Sequence, residues 1–298
     1  MQGRIMKGIA GFYFVKSGET VYRCKARGLF KQQGIKPAVG DLVTIEVPET
    51  DDDSLITEIL PRKNCFIRPF VSNVDCFAVV AAAAKPAPVL PVIDKLLVMA
   101  EQAETEVILC ISKCDLADAP KKTGRAAGET MERILRIYSP LYPVVQIDPR
   151  SEDGIESLKE LIRGKTTALA GASGVGKSTI LNRLFAREHM ETGEVSKKTE
   201  RGRHTTRHAE LFETEDGIRI FDTPGFTSFD LPPIDAQELD HLFPEMRQAL
   251  GECRFDNCAH LAEPDCAVKA ALEAGRIEIS RYESYRQMYQ EAEERNRR

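Results

Sequence analysis

The chain has 298 residues, long enough for two or three domains with cores of their own. Its formal net charge is −5, from 41 Lys and Arg against 46 Asp and Glu, which weighs against indiscriminate binding of nucleic acid. No targeting or membrane segment stands out: Ile9 to Val15 follows Lys7 but contains Gly11 and Tyr13, and Cys76 to Ala84 is apolar only until Lys85 and Pro86, so a cytoplasmic protein is expected.

Residues 1–40 carry Arg4, Lys7, Lys16, Arg23, Lys25, Arg27, Lys31 and Lys36 against Glu19 alone, with Phe12, Tyr13, Phe14, Tyr22 and Phe30 interleaved. Basic and aromatic side chains on short strands suit an RNA-facing surface, and equally a solvated basic face over core aromatics. Gly40-Asp41 reads as a turn and Leu42 to Val47 as a strand. Glu49 to Asp53 is an acidic loop, and Leu55 to Leu60 closes a first domain. Pro61 to Pro69 reads as a connector, and Val74 to Ala83 opens a second sheet. Pro86, Pro88 and Pro91 then precede a helix with Ile93, Leu96, Leu97 and Ala100 on one side.

Glu106 to Ile111 is an apolar strand followed by Ser112-Lys113-Cys114-Asp115. Asp115 can accept hydrogen bonds from guanine N1 and N2, a pair that adenine cannot offer, and the Lys113 stem can pack on the base. Taken alone, this tetrapeptide is an ordinary solvated turn; its weight comes from its neighbours. Met131 to Ile137 and Ile155 to Ile162 supply two helices. Thr166 to Ala170 is a short buried strand. It runs into Gly171-Ala172-Ser173-Gly174-Val175-Gly176-Lys177-Ser178-Thr179, which fits G-x-x-x-x-G-K-[ST]. The glycines turn backbone N–H groups toward a polyphosphate, Lys177 reaches its β- and γ-phosphates, and the Ser178 hydroxyl can ligate Mg²⁺. Ile180, Leu181, Leu184 and Phe185 continue at helical spacing, so the loop feeds a helix N-terminus that favours anions.

Ile218 to Phe221 is a strand ending in Asp222-Thr223-Pro224-Gly225. Asp222 can hold the water shell of Mg²⁺ and Gly225 can offer its N–H to a γ-phosphate. The order is therefore base loop, phosphate loop, switch segments, a circular permutation of the usual GTPase order. Phe226 follows where many GTPases place a water-orienting Gln. His204, within the run Gly202-Arg203-His204-Thr205-Thr206, is the candidate substitute; contact with RNA or phosphate is its other reading.

Cys253-x4-Cys258-x-His260-x5-Cys266 gathers three thiols and an imidazole, a ligand set that suits one tetrahedral, structural Zn²⁺ with no open position. Cys24, Cys65, Cys76, Cys110 and Cys114 are scattered, mostly in apolar runs, and read as buried free thiols. Leu231-Pro232-Pro233 marks the exit from the second domain. Ile279, Tyr282, Tyr285, Met288 and Tyr289 form a stripe on a last amphipathic helix, and the charged tail from Glu291 is expected to fray.

These motifs, with Cys253-Arg254-Phe255 and Arg281-Tyr282-x-Ser284-Tyr285, resemble the RsgA (YjeQ) family of ribosome small-subunit-dependent GTPases over nearly the whole chain. The resemblance implies an N-terminal β-barrel of the OB type (1–65), a central α/β circularly permuted P-loop GTPase domain (66–230) and a C-terminal, mostly helical zinc-binding domain (231–298). It implies GTP hydrolysis to GDP on the 30S subunit, with 16S rRNA as partner, late in subunit maturation, by a monomer. GTP would be held by Ser112 to Asp115, Gly171 to Thr179, Asp222 and Gly225. Mg²⁺ would be held by Ser178, Thr205 and Asp222, with His204 catalytic. Zn²⁺ would be held by Cys253, Cys258, His260 and Cys266. Three positions depart from the family pattern: Ser112 stands where Asn or Thr is usual, Asp148 where a base-contacting Ser is usual, and Arg207 in place of a switch Thr. The residues themselves also admit a GTP-gated RNA clamp whose chemistry only resets it, and an ATP-using kinase. Asp115 and Asp222-Thr223-Pro224-Gly225 count against the kinase.

Overall fold

The computed structural model describes residues 1–50, 52–67, 69–117, 127–192, 209–222 and 233–296. His204, Thr205, Arg207, Gly225 and Phe226 lie outside the described residues. Two compact units form: Met1–Ala78, Asp153–Ala170 and Lys177–Ser228 make the first, and Val79–Glu152, Gly171–Gly176 and Phe229–Arg298 the second.

In the first unit, strands β1 (Gln2–Ile9), β2 (Phe12–Ser17), β3 (Thr20–Ala26), β4 (Leu42–Glu46) and β5 (Ser54–Ile59) pair in the order β1-β2-β3-β5-β4, with β4 returning to β1. This closure removes every free edge and defines an OB-type barrel. Period-2 alternation puts Ile5, Val15, Cys24, Val43, Ile45 and Ile56 into the barrel core. A short helix, α1 (Gly28–Gln32), adds Phe30 to that core. The aromatics are thus divided: Phe30 is core, whereas Phe12 lies under Arg23 and Lys25 at 5.2 and 5.3 Å from its ring centroid.

The segment read as a connector holds a hairpin, β6 (Cys65–Ile67) and β7 (Phe70–Ser72). It is fixed to the barrel by Asp41, whose side chain is fully buried. The carboxylate accepts from Arg62 Nε at 2.7 Å and Nη2 at 2.8 Å, Ser72 Oγ at 2.6 Å and Ala38 N at 2.7 Å, which compensates its desolvation. Beside it Gly40 (φ +99°) is obligatory, since a Cβ there would run into the Ser72 carbonyl. Cys65, expected buried, is exposed, because the hairpin presents it at its edge.

The first unit also contains helices α4 (Asp153–Ile162) and α5 (Lys177–Thr192) and strands β11 (Thr166–Ala170), β12 (Glu210–Glu213) and β13 (Arg219–Asp222). β11 is parallel to β13, β12 is antiparallel to β13, and β1 of the barrel pairs with β12. In the second unit, β8 (Cys76–Ala82, of which Val79 onward belongs to this unit), β9 (Glu106–Ser112) and β10 (Val144–Ile147) lie in the order β10-β9-β8, with β9 and β10 parallel. β8 is buried at every position and β9 at all but its first, the near-continuous apolar pattern of a sheet covered on both faces. Helices α2 (Leu90–Gln102) and α3 (Ala127–Tyr138) follow β8 and β9 in the chain.

The last segment of the second unit is helical: a 3₁₀ turn over Ala236–Leu242, then α6 (Pro244–Arg247), α7 (Ala267–Glu273) and α8 (Ile279–Asn296). Its core joins Phe243, Met246, Val268, Tyr285 and Met288 to Val98 of α2. Arg281, 1% exposed, donates from Nη1 to Asp94 of α2 at 2.7 Å. It also donates from Nε and Nη2 to Glu245 at 2.6 and 3.1 Å, and Tyr138 of α3 donates to the same Asp94 oxygen at 2.6 Å. Two expectations are corrected. Ile279 is 53% exposed, so the buried stripe runs through Tyr282, Tyr285, Met288 and Ala292. The helix does not fray from Glu291, because Glu291 is paired with Lys95 at 2.7 Å and Ala292 is buried.

Candidate functional site

The phosphate loop joins β11 to α5, with Lys177 as the first residue of the helix. Gly171 (φ +151°) abuts the Val80 carbonyl, where a Cβ would collide. Gly176 (φ +104°) leaves its Cβ position 3.4 Å from Ser112 Oγ. Both glycines serve close backbone approach and a left-handed turn.

Ser112 closes β9. Its hydroxyl bridges to the Val175 carbonyl of the phosphate loop and lies 3.3 Å from the Ala81 carbonyl. The short side chain therefore reaches the phosphate loop because Gly176 leaves room for it. Lys113 adopts a left-handed conformation (φ 57°) that turns the chain into a 3₁₀ turn over Cys114–Leu116. Its Nζ donates to the Gly174 carbonyl at 2.7 Å and the Lys85 carbonyl at 2.5 Å. Cys114 is buried, its thiol 3.1 Å from the Ile111 carbonyl. Asp115 stands in that turn with Oδ1 buried and without a hydrogen-bond partner among the described residues. A buried carboxylate oxygen left unpaired is costly, and a ligand N–H would satisfy it. Asp148 is engaged elsewhere: it accepts from the Arg150 backbone N at 2.8 Å and pairs with the Arg150 guanidinium.

In the first unit, burial holds the Lys177 ammonium below the ordinary lysine range, which leaves a cation that gains from a nearby anion. Ser178 and Thr179 are exposed on the first turn of α5. Asp222 ends β13; desolvation and then the Glu210 carboxylate opposite it raise its pKa above the usual carboxylate value. A bound divalent cation would offset both effects.

A second constellation lies in the last segment. One ligand atom from each of Cys253, Cys258, His260 and Cys266 falls within 4.8 Å of all the others. His260 Nδ1 is 3.3 Å from Cys266 Sγ and 3.6 Å from Cys253 Sγ, and those two sulfurs are 4.0 Å apart. Tetrahedral bonds of about 2.3 Å to sulfur and about 2.0 Å to nitrogen require edges of roughly 3.5–3.8 Å, so the four groups fit one ion. Burial pushes the Cys258 thiol up to about 12, so a thiolate there needs a cation. His260 directs its other nitrogen, Nε2, at Asp240 Oδ2 at 3.0 Å, the outer-shell partner that fixes tautomer and ring orientation. The backbone around the ligands is held by Tyr282 Oη donating to the His260 carbonyl at 2.6 Å and Tyr285 Oη to the Ala259 carbonyl at 2.9 Å. Sequence reasoning missed Asp240 and these hydroxyls. The tyrosines signalled only an apolar stripe, and Asp240 lies 20 residues before the histidine with no motif attached.

A closed OB-type barrel, a phosphate loop tied to a base loop that precedes it in the chain, and a C-terminal Cys3His cluster together define a circularly permuted P-loop GTPase. The family models described as RsgA GTPase and RsgA N-terminal domain match residues 59–232 and 2–56. The small ribosomal subunit biogenesis GTPase RsgA of Agathobacter rectalis is 42% identical over 310 aligned residues, covering 100% of both chains. That of Carboxydothermus hydrogenoformans is 44% identical, over 96% of this chain and 95% of its own. Among solved structures, YjeQ from Thermotoga maritima aligns with a TM-score of 0.82 and 34% identity, over 98% of each chain. YloQ, a circularly permuted GTPase, aligns at 0.80 and 32%, over 99% and 95%. The chain belongs to the RsgA GTPase family and is a GTP hydrolase.

Proposed function

We propose that this GTPase acts in the biogenesis of the small ribosomal subunit, binds the 30S particle through 16S rRNA late in its maturation, and is stimulated by it to hydrolyse GTP to GDP. The relatives' names support the partner; Arg23 and Lys25 lie over Phe12 on the barrel but share Asp53 as an ion-pair partner, so that face supports RNA contact only in part. The domain division at 65 and 230, a monomeric state and a cytoplasmic location belong to the same reading; among the described residues no helix is long and apolar enough to cross a membrane.

The observation that carries the nucleotide assignment is the unpaired Asp115 Oδ1 beside a loop whose Ser112 and Lys113 bind the phosphate loop. Asp115 takes guanine N1–H and N2–H, with Lys113 and Cys114 flanking the base. The backbone from Gly171 to Gly176 and the Lys177 ammonium take the phosphates, aided by Thr179 and by the Gly225 N–H. Ser178, Thr205 and Asp222 would hold Mg²⁺, which neutralises charge developing on the phosphates. His204 orients the attacking water. Cys253, Cys258, His260 and Cys266 hold one structural Zn²⁺.

Competition between GTP, xanthosine triphosphate and ATP tests the base assignment. Asp115→Asn should weaken GTP binding by about two orders of magnitude, as two charge-assisted hydrogen bonds are lost, and should favour xanthosine triphosphate, whose C2 oxygen accepts from the new amide. Unchanged GTP affinity would place the base elsewhere.

A further inference from the structure

Strand β12 has a neighbour on each side in the first unit. Glu210 faces Asp222 of β13 on one side and Lys7 of β1 on the other. The first strand of the barrel is thus hydrogen-bonded to the strand that lies next to the one ending in Asp222. Two ion pairs fasten this junction: Lys7 Nζ to Glu210 Oε2 at 2.8 Å, and Lys16 Nζ of β2 to Glu213 Oε2 at 2.9 Å. All four side chains are only 22–31% exposed, so solvent screens them less than a surface pair. Glu213 also accepts from Arg219 Nη1 of β13 at 3.3 Å, and Arg219 donates on to Thr166 Oγ1 at 3.1 Å and the Gly164 carbonyl at 2.6 Å, at the start of β11. Polar contacts therefore run without a break from the barrel through β12 and β13 to β11. Lys7 and Lys16, basic residues of the N-terminal segment, face protein acids here.

Among the described residues β1 meets β12 at one backbone pair, Lys7 with Glu210, so that pair and the two ion pairs are what link the barrel to β12. We infer that Lys7–Glu210 and Lys16–Glu213 are positioning pairs that couple the barrel to the strand bearing Asp222, so that occupancy of the barrel and the state of the nucleotide alter one another. Coupling of this kind is reciprocal: what a barrel ligand does to the nucleotide end, the nucleotide does to β1. Where the barrel ligand is taken to be the 30S subunit, the inference rests on the function proposed above.

The test uses the full-length protein as Lys7→Glu, Glu210→Lys and the double exchange. Two readouts are compared: the ratio of turnover at saturating 30S subunits to turnover without them, and hydrogen exchange of the β1 amides when GDP is replaced by a non-hydrolysable GTP analogue with no ribosome present. Each single reversal should cut the ratio by about fivefold, the factor for losing a pair worth about 1 kcal/mol, and the exchange should restore it. Protection of β1 should follow the nucleotide in wild type, be lost in the single reversals and return in the double. The inference is overturned if the double exchange is no better than Lys7→Glu alone, the pattern of a lysine that touches RNA directly. It is also overturned if β1 exchange in wild type ignores the nucleotide. A wild-type protein whose β1 follows the nucleotide, but whose turnover ignores 30S subunits, keeps the coupling and refutes the proposed activator.

Discussion

Lys177 shows how a single position acquires its chemistry. It opens α5 directly after a loop that Ser112 and Lys113 hold by the Val175 and Gly174 carbonyls, and burial holds its ammonium below the ordinary lysine range. On the function proposed above, Lys177→Ala removes a phosphate partner. Turnover should fall by at least about 100-fold, the scale for losing one charge-stabilising donor, while the chain stays folded. Steady-state kinetics beside a thermal melt checks this, and near-wild-type turnover would contradict it. At the metal cluster, elemental analysis should find one zinc per chain. Cys258→Ser should lose it and loosen the last segment, because ligand binding and local folding are coupled. A metal-free variant with an unchanged C-terminal melt would refute the assignment. The Cys3His set and the glycine-rich loop could be picked out in the sequence because metal and phosphate chemistry demand fixed residue types at close spacing, and the fold brings the four Cys3His groups together. Asp240, Asp41 and Glu210 could not: each is an ordinary acid whose role comes from a partner that only the fold supplies.

At the scale of elements, the strands that the sequence declares most clearly are the buried ones, β8, β9 and β11, whose apolar runs have no alternative use. The hairpin β6–β7 was hidden because strands of three residues carry too little alternation to register. The last helix was read correctly in existence and wrongly at both ends: Ile279 is solvent-exposed, and Lys95 anchors Glu291 from a helix 196 residues away. The buried polar cluster around Arg281 shares this character. Arg281 meets Asp94 across 187 residues and satisfies α2, α6 and α8 at once. Arg281→Ala leaves two buried carboxylates without their cation, and should destabilise the protein by about 3–5 kcal/mol. Urea unfolding followed by tyrosine fluorescence measures it. A loss below about 1 kcal/mol would mean that water repairs the gap.

For the whole molecule, the order of the parts along the chain matters as much as their chemistry. Permutation places the base loop before the phosphate loop and leaves the strands flanking the switch residues to continue, through β12 and β1, into the barrel. Fold class and nucleotide were readable because three motifs agree on them. The use of β1 as a sheet partner was not, since the alternation that closes a barrel also serves a strand paired on both edges. Phe226 stands in the position where many GTPases carry a water-orienting Gln, and in the function proposed above the partner brings a substitute group into place. The most direct measurement is GTP turnover by wild type and His204→Ala, each alone and at saturating purified 30S subunits. Both proteins alone should hydrolyse GTP slowly, 30S subunits should strongly accelerate wild type, and His204→Ala should lose most of that acceleration with GTP and 30S binding retained. Equal acceleration of both would remove His204 from the chemistry, and no acceleration of wild type would contradict the ribosomal activator itself.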